Sequence, residues 1–468
     1  MHRRRLPILL IVALCSLTVA GRDSDAPGWD AAPTILARIK APVFPARDFA
    51  ITDFGAVAGG KEMATDSIRR AIEACHKAGG GRVTVPPGVF LTGAIRLVSN
   101  VNLYLARGAT LRFSTDPSAY LPAVRVRWEG IECMNYSPLI YAFEQENIAV
   151  TGEGTLDGAA SDENWWAWAR RGPDRTTRAG ADVRALNEMG EKGVPVEQRV
   201  FGSGHFLRPN FIVPYRSRNV LIEGVTILGS PMWEVNPVLC TNVIVRGLKI
   251  NSHGPNNDGC DPDSSRDVLI ENCLFDVGDD CIAIKSGRNE DGRRVGVPVE
   301  NLVVRGCTMK DGHAGVAIGS EVSAGCRNVY IEDCRMDSPN LDRALRLKSN
   351  ARRGGIIENI FMRKVEVGRV AEAILTVDFL YEEGAKGSFP PVARNIEIDN
   401  ITGKSSPRVF FITGFEGATI DNIRVANSTI KGVETAEVIV HAGKIELDHV
   451  TVEPAKLPRS LSSRAPVQ

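Results

Sequence analysis

Four segments between Asn256 and Asn350 hold the side chains best equipped for chemistry. Each ends on a serine: NDGCDPDS at Ser264, GDDCIAIKS at Ser286, GHAGVAIGS at Ser320 and RALRLKS at Ser349. Aligned on that serine, Asp258 and Asp280 stand six places before it, Asp279 and His313 seven, Asp261 and Arg346 three, and Lys285 and Lys348 one. Branched apolar pairs alternate with these positions, as Ile282 with Ile284, Val316 with Ile318 and Leu345 with Leu347. Strand periodicity sends such pairs to one face and the polar set to the other. Stacked in register, the segments would gather carboxylates, an imidazole, a guanidinium and two ammoniums on one outer surface.

That set has the equipment to hydrolyse a glycosidic bond in an acidic sugar. Neighbouring parallel strands lie about 4.8 Å apart, so Asp258 and Asp280 are expected side by side, with Asp279 pointing another way and further off. Crowded carboxylates raise the proton affinity of at least one member, which keeps an acid protonated while another polarises water. An inverting glycosidase places its acid and base about 6.5–9.5 Å apart, a gap that three aspartates on two rungs are expected to supply. His313 is placed to tune the acid. Arg346 and Lys348 suit a sugar carboxylate, and Lys285 shares the register of Lys348. An Asp-Asp pair in a Gly-flanked loop is by itself more often a solvated turn or a calcium site. The coincidence of register across four segments is what favours catalysis.

Such a face needs a stack of strands beneath it, and one phrase recurs to provide it. NIAVTGEGTL at 147 is followed by NVLIEGVTIL at 219, NVIVRGLKIN at 242, DVLIENCLFD at 267, NLVVRGCTMK at 301 and NVYIEDCRMD at 328. Further copies start at 359, 395 and 422, so that from 219 onward the spacing runs from 23 to 36 residues. That is a solenoid period, with length variation absorbed in loops. A second strand follows each phrase, and the chain lacks both the leucine consensus of a leucine-rich repeat and the four-stranded blades of a propeller. The expected fold is all-β, a right-handed parallel β-helix over 96–457 with an N-terminal cap over 48–95. The cap contains one helix, capped by Thr65 or Asp66 and stopped by Gly79-Gly80-Gly81. The leading Asn or Asp of each phrase reads as a structural ladder of side-chain amides. Leu156 to Pro214 departs from the period, and with Trp165, Trp166 and Trp168 it is expected to form part of a cleft and to wall off one end of it.

Composition bounds the rest. Lys+Arg and Asp+Glu are both 56, and 43% of residues are hydrophobic, which argues against a global field for nucleic acid or a membrane. Residues 1–20 read as a signal peptide, with Arg3 to Arg5 before an apolar run, so the protein is expected to be exported, periplasmic or secreted. A mobile leader over 21–47 and a disordered tail over 458–468 are expected at the ends. Most cysteines read as core residues, with Cys273, Cys307 and Cys334 at one place in three repeats. Oligomeric state and disulfide pairing leave no signal.

The set NNDG (Asn256 to Gly259), GDDCIAIKSG (Gly278 to Gly287), DGH with GVAIGS (Asp311 to Ser320) and RLK (Arg346 to Lys348) resembles the signature of polygalacturonases, glycoside hydrolase family 28. The resemblance extends over most of the chain from Asp53 onward. It implies an inverting hydrolase on a right-handed β-helix, with no metal and no cofactor. The residue matching Asp279 is then the general acid, and those matching Asp258 and Asp280 activate water. The match for His313 supports the acid, while Arg346 and Lys348 hold the galacturonate at the cut. Asn257 and Lys285 stand where many fungal members have Thr and Asn. With FLRPNF (Phe206 to Phe211) and SPMWEVNP (Ser230 to Pro237), they resemble bacterial exopolygalacturonases. Asn256, Lys285 and Trp233 join Arg346 and Lys348 as expected substrate contacts. The implied substrate is pectic polysaccharide or oligogalacturonide, cut at α-1,4 bonds and by exo action before endo. Alternatives are a rhamnogalacturonan or xylogalacturonan hydrolase, a calcium-dependent β-helix lyase, or a non-catalytic carbohydrate-binding β-helix.

Overall fold

Each recurring phrase forms one strand of a long parallel sheet. The computed structural model describes residues 27–172 and 175–455; the expected signal peptide and tail lie outside the described residues. One sheet has 13 strands, from Asp48–Ala50 to Ile445–Asp448, and a second has 12, from Gly88–Thr92 to Thr451–Pro454. A third parallel face starts at Ile95–Arg96, Ile140–Phe143 and Ile212–Tyr215 and passes through single bridges at Val235 and Cys260. It continues as six strands from Ile282–Ile284 to Val438–Val440. The chain is thus a right-handed parallel β-helix of three faces, as the period implies.

Alternation within the phrases builds the interior. Val220 pairs with Val243, Val243 with Val268 and Val268 with Leu302, all turned into one continuous core. Each such side chain contributes roughly 1.5–3 kcal/mol when fully buried. The nine described cysteines are buried and free, and Cys273, Cys307 and Cys334 belong to that core. At the turn before each strand the expected ladder is present. Asn147 donates to Asn100 at 3.0 Å, Asn219 to Asn147 at 2.9 Å and Asn242 to Asn219 at 2.8 Å. A second run links Asn301, Asn328, Asn359, Asn395 and Asn422. These asparagines have φ between 53° and 64°, a left-handed conformation that Asn tolerates better than other side chains. Backbone need and amide pairing therefore select the same residue.

The leader departs from expectation. Residues 31–38 form helix α1 (Ala31–Arg38), which lies on the outside of the first sheet. The reason is a row of outward residues, Leu221, Ile244, Leu269, Val303, Tyr330 and Phe361, in register from rung to rung. Ala32, Ile35 and Ile39 bury that row, and Trp29 packs edge-on to Tyr330 with ring centroids 5.5 Å apart. Lys40 exchanges backbone hydrogen bonds with the Asn242 amide, and Arg38 donates to Asp267 at 2.6 Å.

Helix α2 (Thr65–Lys77) closes the first coil, with Ile68, Ala71, Ile72 and Cys75 buried. Its N-cap is Ala64, without a side-chain hydrogen bond, because the Thr65 hydroxyl is taken by the Gly93 N–H at 2.7 Å. Gly80 ends the helix at φ 106°, where a Cβ would lie 2.6 Å from the Asn100 carbonyl oxygen.

The irregular stretch also differs from its expected role. It contains α3 (Gly180–Glu191), and Trp165 and Trp168 are buried against Tyr120, Tyr136 and each other. Instead of lining a cleft, it backs a hairpin formed by Val124–Trp128 and Ile131–Asn135, the one antiparallel ladder among the described residues. Val200–Phe201 adds a strand to it, and Leu186, Phe201 and Leu207 pack against Val126, Trp128 and Ile131. Buried ion pairs bolt the hairpin and its backing to the solenoid, Arg127 to Asp263 and Arg199 to Asp291, each at 2.7 Å. Asp291 belongs to α4 (Asn289–Val295) and also accepts the Glu132 N–H at 2.8 Å.

Candidate active site

The third face carries the four serine-aligned segments in the register read from sequence. Asp263 is bridged to Lys285, Ala283 pairs with Ala317, and Ala317 with Arg346. Inward Ile282, Ile284, Val316, Ile318, Leu345 and Leu347 anchor the rungs in the core. The polar positions open into a cavity of about 360 Å³ lined by Asp258, Asp279, Lys285, His313, Arg346 and Lys348, together with Asn256 and Trp233. Every expected site residue except the fully buried Asp280 is on that lining, and Asp280 lies directly beneath it.

Two geometric expectations need correction. Asp279 does not sit apart: one carboxylate oxygen from each of Asp258, Asp279 and Asp280 lies within 4.8 Å of the others. The Gly278–Asp280 turn brings both neighbours to the same side, with the Asp280 N–H donating to the Asp279 carboxylate at 2.9 Å. The spacing is accordingly tighter than the gap of about 6.5–9.5 Å usual for inverting enzymes.

The three acids are in different environments. Lys348 Nζ holds Asp280 at 2.7 Å, and Arg346 stands 4.0 Å from its other oxygen. His313 Nδ1 is 2.9 Å from Asp279, and its side chain is half exposed. Burial alone would raise Asp279, but the His313 hydrogen bond and charge bring it down to about 2. The same hydrogen bond, opposed by burial, raises His313 to about 9. Burial first, then Asp279 and Asp280, push Asp258 up to about 8 against the pull of Lys285 and Lys348. The crowding expected from the register is real, and its effect falls on Asp258. Of the three acids Asp258 thus has the highest proton affinity, while the His313–Asp279 pair holds one proton between its two values.

Lys285 is more committed than its sequence position suggests. It lies 3.5 Å from Asp258, 3.4 Å from Asp261 and 3.4 Å from Glu321, and its ammonium stands 4.5 Å from the Trp233 ring centroid. Trp233 is thus a largely buried support under Lys285. Asn256 accepts from the buried Arg208 at 2.7 Å. Its neighbour Asn257 is fully buried; it accepts from Ser252 and the Gly254 N–H and donates to the Ser230 and Met232 carbonyls. Asn257 fixes the turn that presents Asp258.

Sequence reading missed Glu129, Arg288, Glu321 and Tyr381, which also line the cavity. Tyr381 lies 5.5 Å from both the Arg346 and the Lys348 charge, steadying the cationic rung. None repeats a register position, and the turn pair Glu129-Gly130 between two alternating runs was the one available signal for a hairpin.

A divalent ion would have to displace ammoniums already seated against Asp258 and Asp280, so the donor set suits catalysis by proton transfer better than metal binding. Replacing His313 by Gln tests the proton pair. Without the imidazole, burial raises Asp279 with only Lys348 and Lys285 left to oppose it, so the basic limb of kcat/KM is expected to move from near pH 9 to lower pH, with kcat reduced roughly ten- to a hundredfold. The pair's stability has the matching window. The His313 share is present below its usual 6.5 and lost as pH rises through about 9; the Asp279 share is present above its usual 3.8 and lost as pH falls through about 2. The Tm difference from wild type should be largest between those two usual values, and an unshifted pH profile would remove His313 from the proton path.

Comparison with known proteins agrees with this geometry. Residues 202–446 match the family described as Glycosyl hydrolases family 28. A probable polygalacturonase from Vitis vinifera is 31% identical over 68% of this chain and 60% of its own length. An exo-poly-alpha-D-galacturonosidase from Dickeya chrysanthemi is 27% identical over 81% and 62%. The chain thus spans about three fifths of each of these two curated relatives. The crystal structure of a hyperthermoactive exopolygalacturonase from Thermotoga maritima superposes with a TM-score of 0.86 at 43% identity, covering 90% of this chain and 96% of that one. The matched region takes in all four serine-aligned segments, and the chain belongs to glycosyl hydrolases family 28.

Proposed function

We propose that the protein hydrolyses α-1,4-galacturonosidic bonds of pectic polysaccharide, acting from a chain end and with inversion. The observation that carries this is the meeting of the aspartate triad with Arg346 and Lys348 in one cavity. A planar guanidinium beside an ammonium fits a sugar carboxylate, and in an inverting scheme the acids beside it supply a proton and an activated water.

The His313–Asp279 pair shares one proton across the neutral range. Asp279 receives that proton from His313 and passes it to the glycosidic oxygen of the leaving sugar, which leaves Asp279 ionised and His313 neutral until the pair takes up a proton from solvent. Asp280, held by Lys348, orients water at the anomeric carbon. The proton that the attacking water loses goes to the Asp280 carboxylate, and Asp258 shares this duty in its ionised form, which Lys285 favours from 3.5 Å away. The tight spacing raises a second reading, retention through a covalent intermediate, because retaining enzymes hold their carboxyls about 5–5.5 Å apart. Against it, Asp280 lies beneath the cavity lining with one oxygen committed to Lys348, too deep to bond the anomeric carbon except through a water, and the raised proton affinity of Asp258 makes it a poor nucleophile.

The Thermotoga relative is named an exopolygalacturonase and the Dickeya relative an exo-acting galacturonosidase, which supports exo over endo action. The basic and apolar opening over 1–20 supports export. Incubation with polygalacturonate, followed by product sizing and proton NMR of the first product, tests the reading. Small products should appear from the outset with the β-anomer formed first; a ladder of long fragments would replace exo by endo action, and an initial α-anomer would establish retention.

A further inference from the structure

The floor of the cavity is explained by the triad and its cations, but one of its walls is not. Glu129 reaches the cavity from the tip of the hairpin, which is a separate element from the solenoid rungs. The turn is two residues long, with Glu129 at φ 41° and Gly130 at φ 79°. Positive φ at both central positions gives the tight turn that suits the twist of a hairpin. The tip is locked against the solenoid. The Arg288 N–H donates to the Gly130 carbonyl at 2.9 Å, and a Cβ on Gly130 would lie 2.8 Å from the Arg288 nitrogen.

A chain of charges connects this tip to the catalytic acids. Asp258 stands 3.5 Å from Lys285, Lys285 3.4 Å from Glu321, Glu321 3.7 Å from Arg288, and Arg288 3.4 Å from Glu129. Arg288 also faces Glu382, 3.6 Å away on another loop, which lines the same cavity. A site whose floor is built to attract uronate carboxylates is therefore closed on one side by two carboxylates, Glu129 and Glu382, with the single guanidinium of Arg288 between them. A uronan continuing in that direction would bring a further carboxylate against Glu129 and Glu382, which outnumber the Arg288 charge between them, a net repulsive approach. A sugar that ends there offers a free hydroxyl, which a fixed carboxylate accepts in a charge-assisted hydrogen bond.

We propose that Glu129, supported by Glu382 through Arg288, is the end-recognition residue of this site, binding the free hydroxyl of a terminal uronate and excluding a continuing chain. The inference rests on the proposed uronan hydrolysis and adds to it the group that selects the chain end. The hydroxyl can belong to either terminus, and blocked substrates separate the two. Trigalacturonate is compared with a trimer carrying a 4,5-unsaturated non-reducing residue, which lacks the 4-hydroxyl, and with a trimer whose reducing end has been reduced to the alditol.

Wild type is expected to lose about ten- to a hundredfold in kcat/KM on one of the blocked trimers. Glu129→Gln should lose a similar factor on the intact trimer, chiefly in KM, while discriminating little between blocked and free ends. On polygalacturonate its products should include more long fragments. Glu382→Gln, at a partly exposed loop position, should do the same more weakly and guards against a folding defect in the first variant. Equal wild-type rates on all three trimers would overturn the proposal without any variant. So would a folded Glu129→Gln that keeps wild-type end discrimination. Release of no reducing sugar by wild type from any uronan would instead bring down the hydrolase reading, and this inference with it.

Discussion

Asp279→Asn is expected to remain folded and to bind oligogalacturonate while losing on the order of 10²–10⁴-fold in kcat. The substitution keeps the shape and the hydrogen bond from the Asp280 N–H, but it removes the group that exchanges a proton with His313 at 2.9 Å. Binding should persist because Arg346 and Lys348, on another rung, are untouched. Release of reducing sugar measured beside oligogalacturonate titration checks both halves. Near wild-type turnover would remove Asp279 from the acid role and leave Asp258, whose proton affinity is raised by burial, as the donor. A comparable loss in Asp280→Asn would not discriminate the roles, since it also strands Lys348.

The second large effect concerns stability. Arg127→Ala should cost about 3–5 kcal/mol in denaturant unfolding, because it leaves the Asp263 carboxylate without its partner in a fully buried site. Burial already raises the proton affinity of Asp263, and Arg127 is the main opposing influence. Removing Arg127 raises it further, so the deficit should grow as pH rises and Asp263 is forced to ionise. Replacing both partners with apolar residues of similar volume should recover most of the loss. A variant within about 0.5 kcal/mol of wild type, the usual range for exposed positions, would mean that the pair holds nothing in place.

Much of this molecule is legible in its sequence because a solenoid writes each structural requirement several times. The serine alignment placed Asp258 beside Asp280 and Ala317 beside Arg346 because adjacent coils have equal register, so one correct offset fixes many contacts. The asparagine ladder was legible for the same reason. Features that occur once were not. Asp279 was misplaced because its direction depends on one turn, where the Asp280 N–H bonds back to the Asp279 carboxylate and both acids face the same side. α1 was read as mobile because the outward row it covers looks, rung by rung, like scattered surface residues. Only the stacking of Leu269, Val303 and Tyr330 turns them into a stripe that must be buried. The three tryptophans suggested part of a cleft, yet two of them are buried in the main core against Tyr120 and Tyr136.

The break in the asparagine ladder has a mechanical consequence. An aspartate has no amide to pass along the column, and the coil where Asp267 stands is the one that runs between Asp258 and Asp279. A spring of repeated turns, each gripping only the next, parts at its weakest junction. Here that junction is clamped from outside: Arg38 holds Asp267 while Lys40 grips Asn242, one coil earlier. The amino-terminal helix thus acts as a splint across the seam on which the spacing of the aspartates depends.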